Sequence, residues 1–280
     1  MIAGHGPFLV TMTFDTLYFD IGRLDRLSYR DTFVHHLDPR AKVIATMLFL
    51  LTVISFPKYE VVALAPFFLF PVLLMTVGEI PVRFIIRKII VVSPFAIFIG
   101  VFNPILDTRT AAVIFGVSLS AGWLSFLSIL LKFSLTVSSA LLLIATTSFP
   151  GVCHALRRLG FPALFVSQLL FLYRYLFVLM EEAMRIIRAR EMRSFGTRNT
   201  GIKVFVRLIG VLFLRTVDRA ERIYYAMLSR GFQGDIPSLK RSRIAAPDLM
   251  FMAATVLFLG VFRIFPVTEG IGRVVQELFR

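Results

Sequence analysis

Long apolar runs separated by basic segments are the feature that most constrains this chain. Only 17% of its residues are charged, against about 25% in a typical soluble domain, and 57% are hydrophobic. A helix needs roughly 20 apolar residues to cross a bilayer, and five runs approach that length: residues 41–56, 61–77, 89–106, 123–147 and 248–265. The sequence therefore predicts an all-α, polytopic membrane protein with about five transmembrane helices.

The apolar region at residues 110–147 is long for one span and short for two. Gly122 interrupts it, and Lys132 lies inside it. We favour a short outer piece followed by one span over 123–147, with two short spans as the alternative. Lys132 would then face other protein or reach toward the interface, because a charge that faces lipid near mid-membrane is costly.

The positive charge of the chain lies between the apolar runs. The sequence has 31 Lys and Arg against 17 Asp and Glu, a net charge of +14. Basic residues between spans follow the positive-inside rule and mark cytoplasmic loops, so this pattern argues against nucleic-acid binding. The rule predicts a cytoplasmic N-terminal segment over residues 1–40 and an inside loop over 79–88. Asp38 and Pro39 fit the N-cap and first position of the first spanning helix.

Residues 181–243 are the most basic segment, with fourteen Lys and Arg and six acids. A span over 161–180 would place this segment outside, so we interpret 162–195 as one long helix. Its first half is expected to be buried under the spans and its second half to be in water. A second helix is predicted over 200–229, and glycines at 196 and 231 would end the two helices. These are two long amphipathic cytoplasmic helices with Arg-bearing ends, which suit a groove in a soluble partner.

The predicted organisation has four parts: the cytoplasmic segment 1–40, transmembrane helices one to four in 41–148, the two cytoplasmic helices in 149–246, and the last span with its tail in 247–280. The sequence lacks a P-loop pattern, and its four histidines and single cysteine, Cys153, do not have metal-ligand spacing. We therefore expect a non-catalytic chain without a metal site or bound cofactor.

Three motifs occur in the order seen in one protein family. They are His-Leu-Asp-Pro-Arg-Ala-Lys at 36–42, Glu-Glu-x-x-Arg at 181–185, and Ala-Met-Leu-Ser-Arg-Gly-Phe at 226–232. With these motifs the chain resembles the transmembrane T component of energy-coupling factor (ECF) transporters, from about residue 24 to the last span. The segments at 19–28, 92–95 and 103–104 resemble the CbiQ-like cobalt or nickel subgroup.

The resemblance implies that the ends of the two cytoplasmic helices each bind one ATPase subunit. Arg230, with Ser229 and Gly231, matches the second Arg signature of the family. The first signature is centred either on Arg190 or on Arg193 with Ser194, and we favour Arg193; neither arginine is followed directly by glycine.

The resemblance also implies the partners and the location. Two ABC-type ATPase subunits would bind ATP and Mg, and a substrate-binding membrane (S) subunit would bind cobalt or nickel, with or without a small accessory membrane subunit. The chain would lie in the cell (inner) membrane of a bacterium or archaeon and transmit ATPase motion to the S subunit, most simply for cobalt import. The alternatives are a T component for nickel or a vitamin, and a conventional ABC permease subunit that lines its own path.

Overall fold

The computed structural model describes residues 27–58, 60–106, 110–114, 117–193, 202–234, 236 and 244–264. These residues form two compact units. The first, here called the frame unit, comprises the described residues of 27–148 and 244–264. The second, here called the hairpin unit, comprises the described residues of 149–236. The predicted positions Ser194 and Gly196 lie outside the described residues.

The described chain is helical apart from one short β-hairpin. In chain order its elements are α1 (Phe33–His36), α2 (Pro39–Ser55), a 3₁₀ helix (Val62–Phe68), α3 (Leu69–Val77), α4 (Val82–Gly100), α5 (Phe102–Leu106), β1 (Thr110–Ile114), β2 (Val117–Ser120), α6 (Ala121–Thr147), α7 (Phe149–Arg158), α8 (Ala163–Arg193), α9 (Ile202–Leu228) and α10 (Ala246–Ile264). The two strands pair antiparallel, with Ile114 opposite Val117. The predicted all-α membrane fold class is confirmed.

The predicted cap at the start of α2 is confirmed. The Asp38 side chain accepts a hydrogen bond from the Arg40 backbone N–H at 2.8 Å, and Pro39 occupies the first helical position. The carboxylate satisfies one of the backbone donors that a helix start leaves unpaired, and proline loses nothing there because it has no N–H.

Four helices in the described part of the chain are long and apolar enough to cross a membrane: Val82–Pro104, Ala121–Thr147, Ala163–Arg190 and Ala246–Ile264. Three of them correspond to predicted spans, and α6 has the favoured single-span form of the 110–147 region. The helices at the other two predicted spans are shorter than these four. The α2 helix has 17 residues, and Val62–Val77 is a shorter apolar helix.

The prediction of a loop over 79–88 was wrong from Val82 onward, and its cytoplasmic side stays a prediction. The α4 helix begins at Val82, directly after Pro81, and carries the basic residues of that segment into its first two turns. Ile85 is fully buried in this stretch. Burial of an apolar side chain stabilises the first turns by about 1.5–3 kcal/mol, which the charge pattern alone does not reveal.

The core of the frame unit is a phenylalanine cluster. Phe49 of α2 stacks on Phe70 at a centroid distance of 4.4 Å, and Phe67 meets Phe56 edge-on at 5.1 Å. Phe258 of α10 reaches Phe67 at 6.1 Å. Offset and edge-to-face pairs at these distances are favourable beyond the area that they bury. The cluster therefore joins α2, the 3₁₀ helix, α3 and α10.

The prediction of one continuous helix is confirmed over Ala163–Arg193, where α8 runs unbroken for 31 residues. The prediction that its first half is buried under the spans stays a prediction. Leu164 and Leu172 are each 62% exposed, and Phe165 is 51% exposed, whereas Val166 and Ser167 between them are buried.

Candidate partner-binding helices

The α8 and α9 helices pack antiparallel in the hairpin unit. Midway along both helices, Arg215 Nη1 donates to Glu182 Oε1 at 2.5 Å. Beyond the C-terminal end of α9, the Phe232 ring lies 6.1 Å from the ring of Phe171 of α8. Residues later in α9 thus meet residues earlier in α8, so the end of α9 lies beside the first turns of α8.

The end of α9 is a Schellman motif centred on Gly231. The Gly231 N–H donates to the Leu228 carbonyl at 2.9 Å, and the Phe232 N–H donates to the Met227 carbonyl at 3.0 Å. Gly231 has φ +79, the left-handed conformation that this motif needs and that glycine adopts without strain. The predicted helix end at Gly231 is confirmed.

This turn fixes the backbone that carries Arg230. Arg230 is the last residue before Gly231 and is exposed. Ser229 Oγ donates to the Tyr225 carbonyl one turn back, at 2.9 Å. Beyond the turn, Ser167 Oγ of α8 donates to the Gly234 carbonyl at 2.9 Å. Together with the Phe171 contact, this bond ties the chain after Arg230 to α8.

The first Arg site lies at the other end of the hairpin. Arg193 is the last residue of α8 and is exposed, whereas Arg190 is half-buried. Phe171 and Arg193 are separated by 22 helical positions, about 33 Å at 1.5 Å per residue. The structure therefore holds the two predicted signatures apart, roughly the length of the hairpin, rather than bringing them into one site.

A buried polar cluster in the frame unit was missed by sequence reasoning. Asp248, only 3% exposed, accepts the Asp38 backbone N–H on Oδ1 and the Ala245 N–H on Oδ2, both at 2.7 Å. Lys42 of α2, 4% exposed, donates from Nζ to the Thr146 carbonyl of α6 at 2.8 Å. The cluster joins one end each of α2, α6 and α10. In the sequence, an Asp at the start of an apolar run, such as Asp248, indicates a helix cap. It does not indicate a contact with Asp38, 210 residues away.

His35 lies beside this cluster. Its Nε2 donates to the Leu27 carbonyl at 3.0 Å, so in the neutral ring Nδ1 accepts from the Thr32 hydroxyl at 2.7 Å. Burial, and then the charge of Lys42, lower the pKa of His35 below its usual value. The neutral ring is therefore the favoured form. Among the described residues, no group of three His, Cys, Asp or Glu side chains could hold a metal ion.

A family model described as "Cobalt transport protein", CbiQ, matches residues 30–241, which include the Asp38 cap, the hairpin and Arg230. The chain belongs to the CbiQ family. It is thus a T component of ECF-type transporters and a membrane protein, and the resemblance drawn from its motifs is confirmed.

Individual relatives agree with the family match. The chain is similar to the energy-coupling factor transporter transmembrane protein EcfT of Staphylococcus aureus, 31% identical over 74% of this chain and 82% of that protein. It is also similar to EcfT of Streptococcus thermophilus, 26% identical over 76% and 86% of the two chains. The cobalt transport protein CbiQ of Salmonella typhimurium is 34% identical over 36% of this chain and 46% of that protein.

Proposed function

We propose that this CbiQ-family chain is the coupling scaffold of an ATP-driven cobalt importer. Two ABC-type ATPase subunits bind ATP and Mg and move the Arg-bearing ends of the hairpin. The chain passes that motion to a substrate-binding membrane subunit, which holds the ion. The observation that carries the proposal is the placement of Arg193 and Arg230 at opposite ends of one helical hairpin. Arg230 precedes the turn whose Phe232 packs on Phe171, and Phe171 lies about 33 Å along α8 from Arg193.

The separation of the two arginines suits two partners better than one. A single groove takes a helix end and the one or two turns beside it, so arginines at opposite ends of a hairpin offer two separate docking points. A guanidinium presents five donors in a fixed plane, which fits carboxylates and backbone carbonyls of a partner. Arg230, held at a Schellman turn, loses less side-chain and backbone freedom on docking than an arginine on a mobile loop.

Charge along α9 supports a cytoplasmic position for the hairpin, even though α8 is apolar enough to span. Seven charged residues are spread along α9, and none of these seven is buried: Lys203, Arg207, Arg215, Asp218, Arg219, Glu221 and Arg222. Since α9 packs antiparallel along α8, a spanning α8 would draw these charges into the bilayer. Each charge at mid-membrane costs about 2.5–3.5 kcal/mol.

Cobalt is proposed as the ion because the family description and the Salmonella relative both name cobalt transport. Nickel and vitamins are the other substrates that the sequence left open. The EcfT relatives support the assignment of ATPase and S-subunit partners, since their name places them in energy-coupling factor transporters. The ion specificity would reside in the S subunit, so it is measured on the assembled transporter.

The test is co-purification of the chain with its cognate ATPase subunits, followed by ⁵⁷Co and ⁶³Ni uptake by the reconstituted transporter. We expect Arg230→Glu and Arg193→Glu each to reduce ATPase retention and to abolish uptake, because a carboxylate replaces the donor group. Arg190→Glu tests the other alignment of the first signature.

Arg219→Glu is the matched control, because it makes the same charge change on an exposed α9 residue three turns before Arg230. Full ATPase retention by both the Arg193 and the Arg230 variants would refute the coupling role. Equal loss with the Arg219 control would mean that overall basic charge, not the two helix ends, binds the partner.

A further inference from the structure

Two arginines lie on one face of the first two turns of α4 in the frame unit. Arg83 and Arg87 are the second and the sixth residue of this helix, and both are exposed. Side chains four positions apart on a helix are neighbours, with Cβ atoms about 5–6 Å apart. The two guanidinium groups can therefore reach the same small ligand.

This face is turned away from the packed side of α4. At 3.6 residues per turn, the buried residues of the helix fall on one stripe: Ile85, Ala96 and Gly100. The stripe faces α6, because a Cβ on Gly100 would lie 2.7 Å from the ring of Phe126. Arg83 and Arg87 lie roughly opposite the stripe, so they project away from α6.

Beyond the arginines, the same outward face of α4 is apolar. Ile90, Phe98 and Val101 follow on it, and all three are exposed. The span Val82–Pro104 has 23 residues, which is about 34 Å at helical rise and slightly exceeds the roughly 30 Å hydrocarbon core of a bilayer. The first turns of α4 therefore lie at the membrane–water boundary, where long basic side chains reach the headgroups.

The charge of the arginine pair is not balanced by neighbouring acids. Glu79 is the only Asp or Glu in residues 61–106, and its backbone carbonyl accepts a hydrogen bond from Arg30 Nη1 at 2.5 Å, which brings a third guanidinium to the start of α4. Within the described part of the chain, Arg83 and Arg87 have no hydrogen-bond or ion-pair partner. Like charges four positions apart on a helix are destabilising, and an anion between them would remove that repulsion.

We propose that Arg83 and Arg87 form a headgroup site for an anionic phospholipid. The guanidinium groups donate to the phosphate oxygens of the lipid, a geometry that suits arginine, and the acyl chains cover the apolar face at Ile90 and Phe98. The apolar face favours a lipid over a free phosphate, because only the lipid also covers it. An anionic headgroup is favoured over a zwitterionic one, whose own ammonium group the three guanidinium groups would repel.

The test is fluorescence quenching of a tryptophan beside the site, in the full chain reconstituted into vesicles. Trp123 is the single tryptophan of the chain and is replaced by Phe, and Ile90→Trp then places the reporter three positions after Arg87. The vesicles are mixtures of phosphatidylcholine and phosphatidylglycerol in which one lipid or the other carries brominated acyl chains. Bromine quenches indole on contact, so the two quenching curves give the relative affinity of the two lipids at this site.

We expect brominated phosphatidylglycerol to quench the reporter more strongly than brominated phosphatidylcholine. Arg83→Gln and Arg87→Gln should each lower the phosphatidylglycerol-to-phosphatidylcholine affinity ratio about fivefold, the factor that one basic residue near an anionic membrane surface supplies. The double variant should bring the ratio close to one.

Lys88→Gln is the matched control, because it removes the same charge at the position next to Arg87. The Lys88 ammonium lies over the Phe84 ring, 5.8 Å from its centroid, and its position on the helix faces away from the arginine pair. This variant should leave the affinity ratio unchanged.

Equal quenching by the two lipids in the parent chain would overturn the proposal. A fall in the ratio with Lys88→Gln as large as with the Arg variants would also overturn it, since it would show general attraction to the surface rather than a site. Loss of the selectivity in excess inorganic phosphate would assign the pair to a free anion instead. A reporter that neither lipid quenches would mean that protein, not lipid, covers this face.

Discussion

Replacing Asp248 by alanine should destabilise the frame unit strongly. Asp248 is 3% exposed, and its two carboxylate oxygens accept the backbone N–H groups of Asp38 and Ala245 at 2.7 Å each. Alanine would leave the N–H of the buried residue Asp38 unpaired, whereas the N–H of Ala245 belongs to an exposed residue. An unsatisfied buried donor costs about 1–3 kcal/mol, so the expected loss is about 1–3 kcal/mol. Asp248→Asn retains one acceptor oxygen and should lose about half as much.

The assay is the thermal midpoint of the purified, detergent-solubilised chain, compared at one scan rate because membrane proteins often unfold irreversibly. A change of 1 kcal/mol corresponds to roughly 2–4 °C for a chain somewhat shorter than this one, so Asp248→Ala should lower the midpoint by at least about 2 °C. Asp218→Ala is the matched control: Asp218 is exposed on α9, and surface changes are usually within about 0.5 kcal/mol.

A midpoint for Asp248→Ala within a degree of the Asp218→Ala control would refute the reasoning. It would mean that the two backbone donors find other acceptors, so that the carboxylate is not what joins the starts of α2 and α10. An Asn variant as unstable as the Ala variant would contradict the assignment of one acceptor oxygen to each donor.

Two further predictions concern a helix end and a histidine. Gly231→Ala should lower the free energy of unfolding by about 1 kcal/mol, because Gly231 has φ +79. Gly210→Ala, in the open interior of α9, should raise it by about 0.5–1 kcal/mol. Thermal midpoints of the two variants measure the difference, and equal shifts would exclude backbone strain at Gly231. Burial and the charge of Lys42 lower the pKa of His35 in the folded chain. Below about pH 6.5 the unfolded chain therefore binds more protons than the folded chain does, so stability should fall as the pH drops through that value. The thermal midpoint at pH 5.5 relative to pH 7.5 should fall less in His35→Gln than in the wild type, and an equal fall would exclude His35 as the source.

The features that the sequence predicted correctly depend on neighbouring residues. The Asp38–Pro39 helix start, the unbroken α8 and the Schellman end at Gly231 each involve hydrogen bonds or spacing within about one helical turn. Such signals act through the backbone of the segment itself, so they can be recognised without knowing the packing. The apolar runs similarly predicted membrane helices, because a bilayer requires their length and composition.

The features that the sequence missed depend on residues far apart in the chain. The acceptor of Lys132 is the Phe56 carbonyl, 76 positions away, and the partner of Asp248 is the Asp38 N–H, 210 positions away. The start of α4 at Val82 likewise depends on what packs against that segment. Basic charge in residues 79–88 suggested a loop.

The candidate site likewise combines features that depend on neighbouring residues with features that depend on residues far apart in the chain. The sequence by itself left Arg190 and Arg193 as candidates near the end of the first long helix and indicated Arg230 at the end of the second. It also determined why glycine follows Arg230, since a left-handed helix cap is a local requirement. Only the tertiary structure decided that Arg193 and Arg230 lie at opposite ends of one hairpin, and that Lys42 and Lys132 meet the ends of each other's helices. These arrangements follow from antiparallel packing, and packing is set by side chains that meet only after the chain has folded.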